Sequence, residues 1–241
     1  MIRVIICEGK TDVIFLGYYL RKVSDWEYSN KGPKHPNIKS DKFEQTVEWY
    51  KKGEEWLLIC AAGGKDNIKA FYQQKIEEAI KQSNEIKRLA VVLDRDNNEI
   101  ESMEKHVSSI FKPIITKIKN NQWIENKYED GYHQKQTLET LLIVIPTEHQ
   151  GALESLMLDS ISENPYDAVI VKKSGEFVKE MRLSASEYIY NNRAELKAHL
   201  GVTWAIQYPE KVFSLIDEQI RSVAWEKSEV LRECFWCLKK I

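Results

Sequence analysis

Long hydrophobic runs are absent from this chain. No apolar stretch approaches the ~20 residues that a membrane-spanning helix requires, and the opening MIRVIICEG reads as a strand rather than a signal peptide. No membrane partner is expected. A dominant charge sign is also absent: 35 Lys and Arg stand against 37 Asp and Glu, a net charge of −2. No global basic field announces nucleic acid, which leaves room only for a local groove. Cysteine is scarce, at four residues. Cys7 and Cys60 fall in predicted strands, and Cys234 and Cys237 have CxxC spacing without a second pair or nearby histidines for zinc. This usage fits a reducing, cytoplasmic setting, with the last pair on faces of a terminal helix. Phosphate-loop (GxxxxGK[ST]), GxSxG and HExxH motifs are missing. So are internal repeats, low-complexity tracts and flexible linkers. What remains is the composition of an ordinary folded domain, 43% hydrophobic and 30% charged. The 241 residues suffice for one large domain or a domain with an appendage.

Two short segments far apart in the chain carry most of the information. In IICEGKTD, Glu8 ends an apolar run and Asp12 follows four residues on. In LAVVLDRDN, Asp94 and Asp96 end another. Each run reads as a buried strand: a few apolar residues, β-branched in part, then abrupt polarity. Strands buried on both faces belong to parallel sheets, and ligands bind beyond their carboxyl ends. If these two strands are neighbours, four carboxylates converge on one edge. Asp94 and Asp96, two apart, point the same way if the extended geometry continues. Gly9 permits a tight turn, and Thr11 or Asp12 can cap a helix from about Val13. Each acid singly reads as a strand-end or cap residue. Jointly, their mutual repulsion calls for a cation, and Mg²⁺ or Mn²⁺ answers it with positions left for water and phosphate.

The Glu-Gly after the first strand, with Asp-x-Asp after a later one, resembles the Toprim domain. Topoisomerases, bacterial primases, a ribosomal RNA maturase and nucleases of the overcoming-lysogenization-defect (OLD) class share that domain. The resemblance extends to AAGGKDN after the run Trp56 to Cys60, and to GALES, where Gly151 and Glu154 follow the run Leu141 to Ile145. The Glu8/Asp12 pair is more similar to the OLD-class nucleases than to primases. The layout, including the helical tail, resembles the small stand-alone Toprim proteins of uncharacterised function. It implies a Toprim-like metal-binding domain over residues 1–160 and a helical C-terminal appendage, 161–241, packed on it. The chain has no room for a topoisomerase gate and no zinc module for a primase.

A pass along the chain predicts strands at 2–7, 56–61, 88–93 and 141–145 alternating with helices at 13–23, 66–81 (capped by Asp66) and 100–111. That alternation implies an α/β, Rossmann-like fold: a parallel sheet flanked by helices, with right-handed crossovers. Residues 24–40 read as a loop and 41–52 as a short helix. Between 112 and 140 the pattern weakens. Trp123, Tyr128 and Tyr132 lie among lysines, either to stack bases or, as we favour, to pack an insertion on the sheet edge. AVIVKK, 168–173, reads as a fifth strand or as a loop or helix element. Helices follow at 185–200, stopped by Gly201, then at 210–224 and 230–238. Trp204, Phe213, Leu215, Ile216, Ile220, Val223 and Trp225 form an apolar set suited to docking on the sheet.

Resemblance and site chemistry together imply a Mg²⁺- or Mn²⁺-dependent nuclease. In it Asp94 and Asp96 hold a metal, and Glu8 holds a second or acts as general acid or base. Asp12 and Glu154 complete a two-metal site with ions about 3.5–4 Å apart. Lys10 and Lys65 are candidates for touching phosphate. Gly63-Gly64-Lys65 is either an amide cradle for phosphate or a plain turn. Lys172 and Lys173 are weaker candidates, and His149 reads as a solvated loop residue. DNA or RNA is the expected partner, with a separate ATPase a candidate protein partner because no ATPase module is encoded here. The competing expectation is a Toprim-fold effector or binding subunit with little activity alone, marked by an exposed apolar patch on the tail.

Overall fold

The computed structural model describes residues 1–241, and its frame is a seven-stranded sheet. The strands are β1 (Ile2–Cys7), β2 (Glu27–Ser29), β3 (Thr46–Lys52), β4 (Glu55–Ala61), β5 (Ile86–Asp94), β6 (Ile124–Glu129) and β7 (Lys135–Ile145). Their order is β2-β3-β4-β1-β5-β7-β6. The four central strands, β4, β1, β5 and β7, are mutually parallel. Their VIIC, LLIC, LAVVL and LLIVI runs bury both faces, as parallel strands covered by helices must. The edges are antiparallel, so the sheet is mixed rather than wholly parallel.

Both edges depart from the sequence reading. Residues 46–52 form β3 and not a helix, because TVEWYKK pairs across a tight turn with β4, with Trp49 and Tyr50 packed inward. The loop at 24–40 contains the short strand β2. The weak region 112–140 contains β6, and β7 begins at Lys135, six residues before the expected start. Polar side chains alternate with buried ones along β6 and early β7, so no continuous apolar run announced them. Trp123 packs against the chain's end, its Nε1–H donating to the Cys237 carbonyl at 2.9 Å, and Tyr128 is buried. Tyr132 is exposed at the hairpin tip.

The helices are α1 (Lys10–Val23), α2 (Ile68–Phe71), α3 (Glu78–Gln82), α4 (Ile100–Ile110), α5 (Leu153–Ile161), α6 (Pro165–Ser184), α7 (Asn192–Gln207), α8 (Ile216–Ser222) and α9 (Glu229–Cys234). A π-helical turn, Tyr72–Glu77, joins α2 to α3. One face of the sheet is covered by α1, α5 and the C-terminal helices, the other by the α2–α3 run and α4. AVIVKK lies inside α6. Asn164 caps that helix by accepting from the Tyr166 amide, and Pro165 begins it, so the β-branched run is carried as helix. Gly201 lies within α7 and does not stop it. Trp204, Ile220 and Trp225 are buried as expected and Val223 packs partly, but Phe213, Leu215 and Ile216 are exposed. No helix is long and apolar enough to cross a membrane.

Candidate functional site

The parallel strands β1 and β5 end side by side, and their register carries Glu8 to the level of the end of β5. Glu8 is 1% exposed. Its Oε1 accepts the Asp94 amide at 3.0 Å, which ties together residues 86 apart in the chain. Its carbonyl accepts the amides of Gly63 and Gly64 at 3.1 and 2.8 Å. Both glycines have positive φ, 82° and 115°, so the GlyGly turn serves to wrap Glu8. Those amides are therefore engaged with backbone, and the turn is not an open phosphate cradle.

Asp12 is buried beside Glu8. It does not cap α1 as the N-cap residue. The helix begins at Lys10 with Gly9 as N-cap, and Asp12 reaches back so that its Oδ2 accepts the Gly9 amide at 2.7 Å. Asp66 likewise does not cap its helix, since Gly64 holds that position. Asp94 ends β5, and its Oδ1 accepts the Leu153 amide at 2.9 Å, in the first turn of α5. Glu154 stands in that same turn, close enough to act electrostatically on both Asp94 and Asp12. Asp96 does not continue the strand. Its φ is +51°, and it exchanges backbone hydrogen bonds with Gly151 at 2.7 and 3.1 Å. Its carboxylate turns to Lys65, with Nζ 2.8 Å from Oδ2, and the same Nζ lies 3.4 Å from the Asp94 carbonyl. All five acids and Lys65 therefore share one edge of the sheet.

Four other candidates stand apart. Lys10 is exposed and takes no part in the acid network. Lys172 and Lys173 lie on α6 and not at a strand end, and Lys173 pairs with Glu176 in solvent. His149 is exposed and bonded to Asp159 and the Gln150 carbonyl. The four cysteines are free thiols, and burial pushes the Cys7, Cys60 and Cys234 thiols up.

The sequence reading missed Arg193. It lies in the first turn of α7, which Asn191 caps by accepting the Ala194 amide at 2.8 Å. Its Nη2 donates to Asp94 Oδ2 at 3.0 Å, and its Nη1 stands 3.7 Å from Glu8 Oε2. The only trace in the sequence is an Asn-Asn-Arg helix start, 99 residues from Asp94 and farther still from Glu8.

The acids repel one another in a poorly solvated space. Burial pushes the Asp94 carboxyl up to about 8, with Asp12 and Glu8 adding to it and Arg193 opposing. Burial pushes Asp12 up to about 7, against the Gly9 amide bond that favours its charged form. Glu8 is raised for the same first reason, with Lys65 and Arg193 opposing. Glu8 Oε2 is buried with no hydrogen-bond partner. Three side chains are nowhere drawn tightly enough to form a ready metal cage. Mg²⁺ needs none, since it is commonly held by one or two carboxylates with water and phosphate completing its shell. An all-oxygen donor set with one buried carboxylate oxygen that makes no hydrogen bond suits such a hard cation.

Fold and site together define an α/β protein with an acidic cluster beyond the carboxyl ends of its central parallel strands. Residues 2–231 match the model of a family described as a protein of unknown function (DUF3226), and the chain belongs to that family. The crystal structure of a hypothetical protein from Pyrococcus horikoshii OT3 is similar over 98% of this chain and 99% of its own. The identity is 16% and the TM-score 0.47. No curated protein matches the chain.

Proposed function

We propose that this protein is a divalent-metal-dependent phosphodiesterase acting on nucleic acid. The observation that carries the reading is Glu8: a carboxylate 1% exposed, with Oε2 lacking any hydrogen bond and faced only by the Arg193 guanidinium at 3.7 Å, placed among Asp12, Asp94, Asp96 and Glu154. A buried, under-bonded carboxylate among like charges costs stability, and strand termination alone needs none of it. Nucleic acid as the substrate rests on the Toprim resemblance and on Lys65 and Arg193 flanking the acids.

In this reading Glu8 and Asp94 hold Mg²⁺ or Mn²⁺, with Asp12 and Glu154 adding negative field around them. The bound cation would polarise the phosphate and acidify an attacking water. Lys65 orients Asp96 and offers its ammonium to a phosphate oxygen. With a carboxyl pushed up to about 7, Asp12 can hold or release a proton near neutrality. The test is labelled single- and double-stranded DNA and RNA with Mg²⁺, Mn²⁺ or EDTA. Cleavage should need metal, and Asp94→Asn should lower it by about 10³-fold or more, the scale of several kcal/mol of lost transition-state stabilisation.

A second reading has its own observation. Ile206, Val212, Phe213, Leu215 and Ile216 are exposed within eleven residues of the tail, Phe213 fully. Such a patch suits an effector subunit that docks on a partner. No cleavage by the wild type with either metal, alone or with cell extract, would decide for it.

A further inference from the structure

The first turn of α7 carries a positive side chain where a helix favours a negative one. Arg193 is held there against that preference by Asp94 Oδ2, at 3.0 Å, and Glu8 Oε2, at 3.7 Å. These are the two oxygens the rest of the protein leaves over. Asp94 Oδ1 is taken by the Leu153 amide, and Glu8 Oε1 by the Asp94 amide. A guanidinium and a divalent cation therefore compete for the same pair of atoms. The arginine side chain is 46% exposed, and a cleft of about 350 Å³ lined by Asp96, Gln150, Gly151 and Asn192 opens beside it. The helix itself is anchored elsewhere. Leu200 and Trp204 are buried, and Thr203 bonds Ser174 of α6 at 2.7 Å. Release of the site thus moves a side chain and leaves α7 in place.

We propose that Arg193 is a built-in counter-ion for the acid cluster. It gives up Glu8 and Asp94 when a divalent cation takes them, and its freed guanidinium then binds a phosphate of the substrate. The proposal rests on the reading of Glu8 and Asp94 as cation ligands. It makes the helical tail part of the site: the tail supplies the charge that keeps the acids neutralised before the cation arrives and the fork that grips phosphate afterwards.

Two measurements test it. The first is Mn²⁺ affinity by calorimetry for wild type, Arg193→Ala, Arg193→Gln and Arg193→Lys, measured from pH 7 to pH 9 so that displacement of protons from the acids is separated from displacement of the guanidinium. Removing the competitor should tighten Mn²⁺ binding by about tenfold or more in the Ala and Gln variants, the equivalent of about 1.4 kcal/mol. Arg193→Lys, which keeps the charge, should stay near the wild type. Arg193→Gln keeps an amide donor for Asp94 and stands in if the alanine variant does not fold. Equal or weaker Mn²⁺ affinity in the charge-free variants overturns the counter-ion role. Absence of Mn²⁺ binding in all four proteins overturns the cation-site reading itself. The second measurement is the affinity of a short single-stranded oligonucleotide for the Mn²⁺-loaded protein as a function of salt. Loss of one phosphate contact in Arg193→Gln should lower the slope of log affinity against log salt by about 1. An unchanged slope overturns the phosphate-binding half of the proposal. An oligonucleotide that does not bind the loaded wild type removes nucleic acid as the ligand and, with it, that same half, while the cation arm still decides the competition.

Discussion

Asp94 is the residue on which the site turns: its carboxylate takes the Leu153 amide of α5 and the Arg193 guanidinium of α7, and its own amide donates to Glu8. Its folded-state carboxyl at about 8 and that of Asp12 at about 7 both lie above the ordinary 3.8. The folded state therefore keeps two protons that the unfolded chain releases near pH 4. The stability they contribute is full below that point and is lost as pH rises through about 7 and then about 8. The slope approaches about 1.4 kcal/mol per pH unit for each proton held. In EDTA, thermal unfolding should therefore fall in temperature from pH 5 to pH 8. Asp94→Asn should flatten that decline by removing one of the two protons. A wild-type profile that rises over this range would show that the two acids are ionised in the folded protein throughout. Glu8 was legible in sequence because a charged residue ending an apolar strand is conspicuous. Arg193 was not, because a lysine- or arginine-bearing helix start looks the same whether it faces solvent or a buried acid.

At the scale of elements, the site depends on how the loop after β7 delivers α5. Gly151 sits at φ +153° and exchanges hydrogen bonds with Asp96, and a Cβ there would collide with the Ser155 side chain. Ser155 Oγ in turn accepts the Ala152 amide at 3.3 Å, at the start of α5. Gly151→Ala should therefore cost about 1–3 kcal/mol, the scale of a residue held in a disfavoured backbone region. It should also weaken the Leu153–Asp94 hydrogen bond. A drop of several degrees in Tm, with faster hydrogen exchange at the Leu153 amide, is the expected result. Unchanged Tm and exchange would mean the turn relaxes without involving the site. GALES was readable as a candidate stretch at the sheet edge, but the glycine's role was not, since the collision depends on where α5 lies.

At the scale of the whole molecule, the C-terminal helices are part of the core and not a detachable module. Trp225 is fully buried, its Nε1–H donating to the Ile220 carbonyl at 2.7 Å, with its ring edge-on to Phe15 of α1 at 5.5 Å. Phe235 packs on Phe15 and Tyr19 of the same helix. Denaturant unfolding should accordingly be one transition, coincident by tryptophan fluorescence and far-ultraviolet circular dichroism. Trp225→Ala should lower stability by about 3–5 kcal/mol, as large core truncations do. Two separated transitions would show residues 161–241 to unfold as an independent unit.

What the sequence determined by itself was the central parallel sheet and the acids at its edge. Continuous apolar runs ending abruptly in Glu8-Gly9 and Asp94-Arg95-Asp96 are a local signal, and burial on both faces leaves them one architecture. Only the tertiary structure decided the antiparallel edges, the helical state of AVIVKK and the arrival of Arg193. β3 and β6 are half-exposed strands whose identity comes from the neighbour they pair with, and AVIVKK follows the cap at Asn164. Arg193 finds Asp94, 99 residues away in the chain, through the packing of α7 on α5 and α6, and no local pattern reports such a contact.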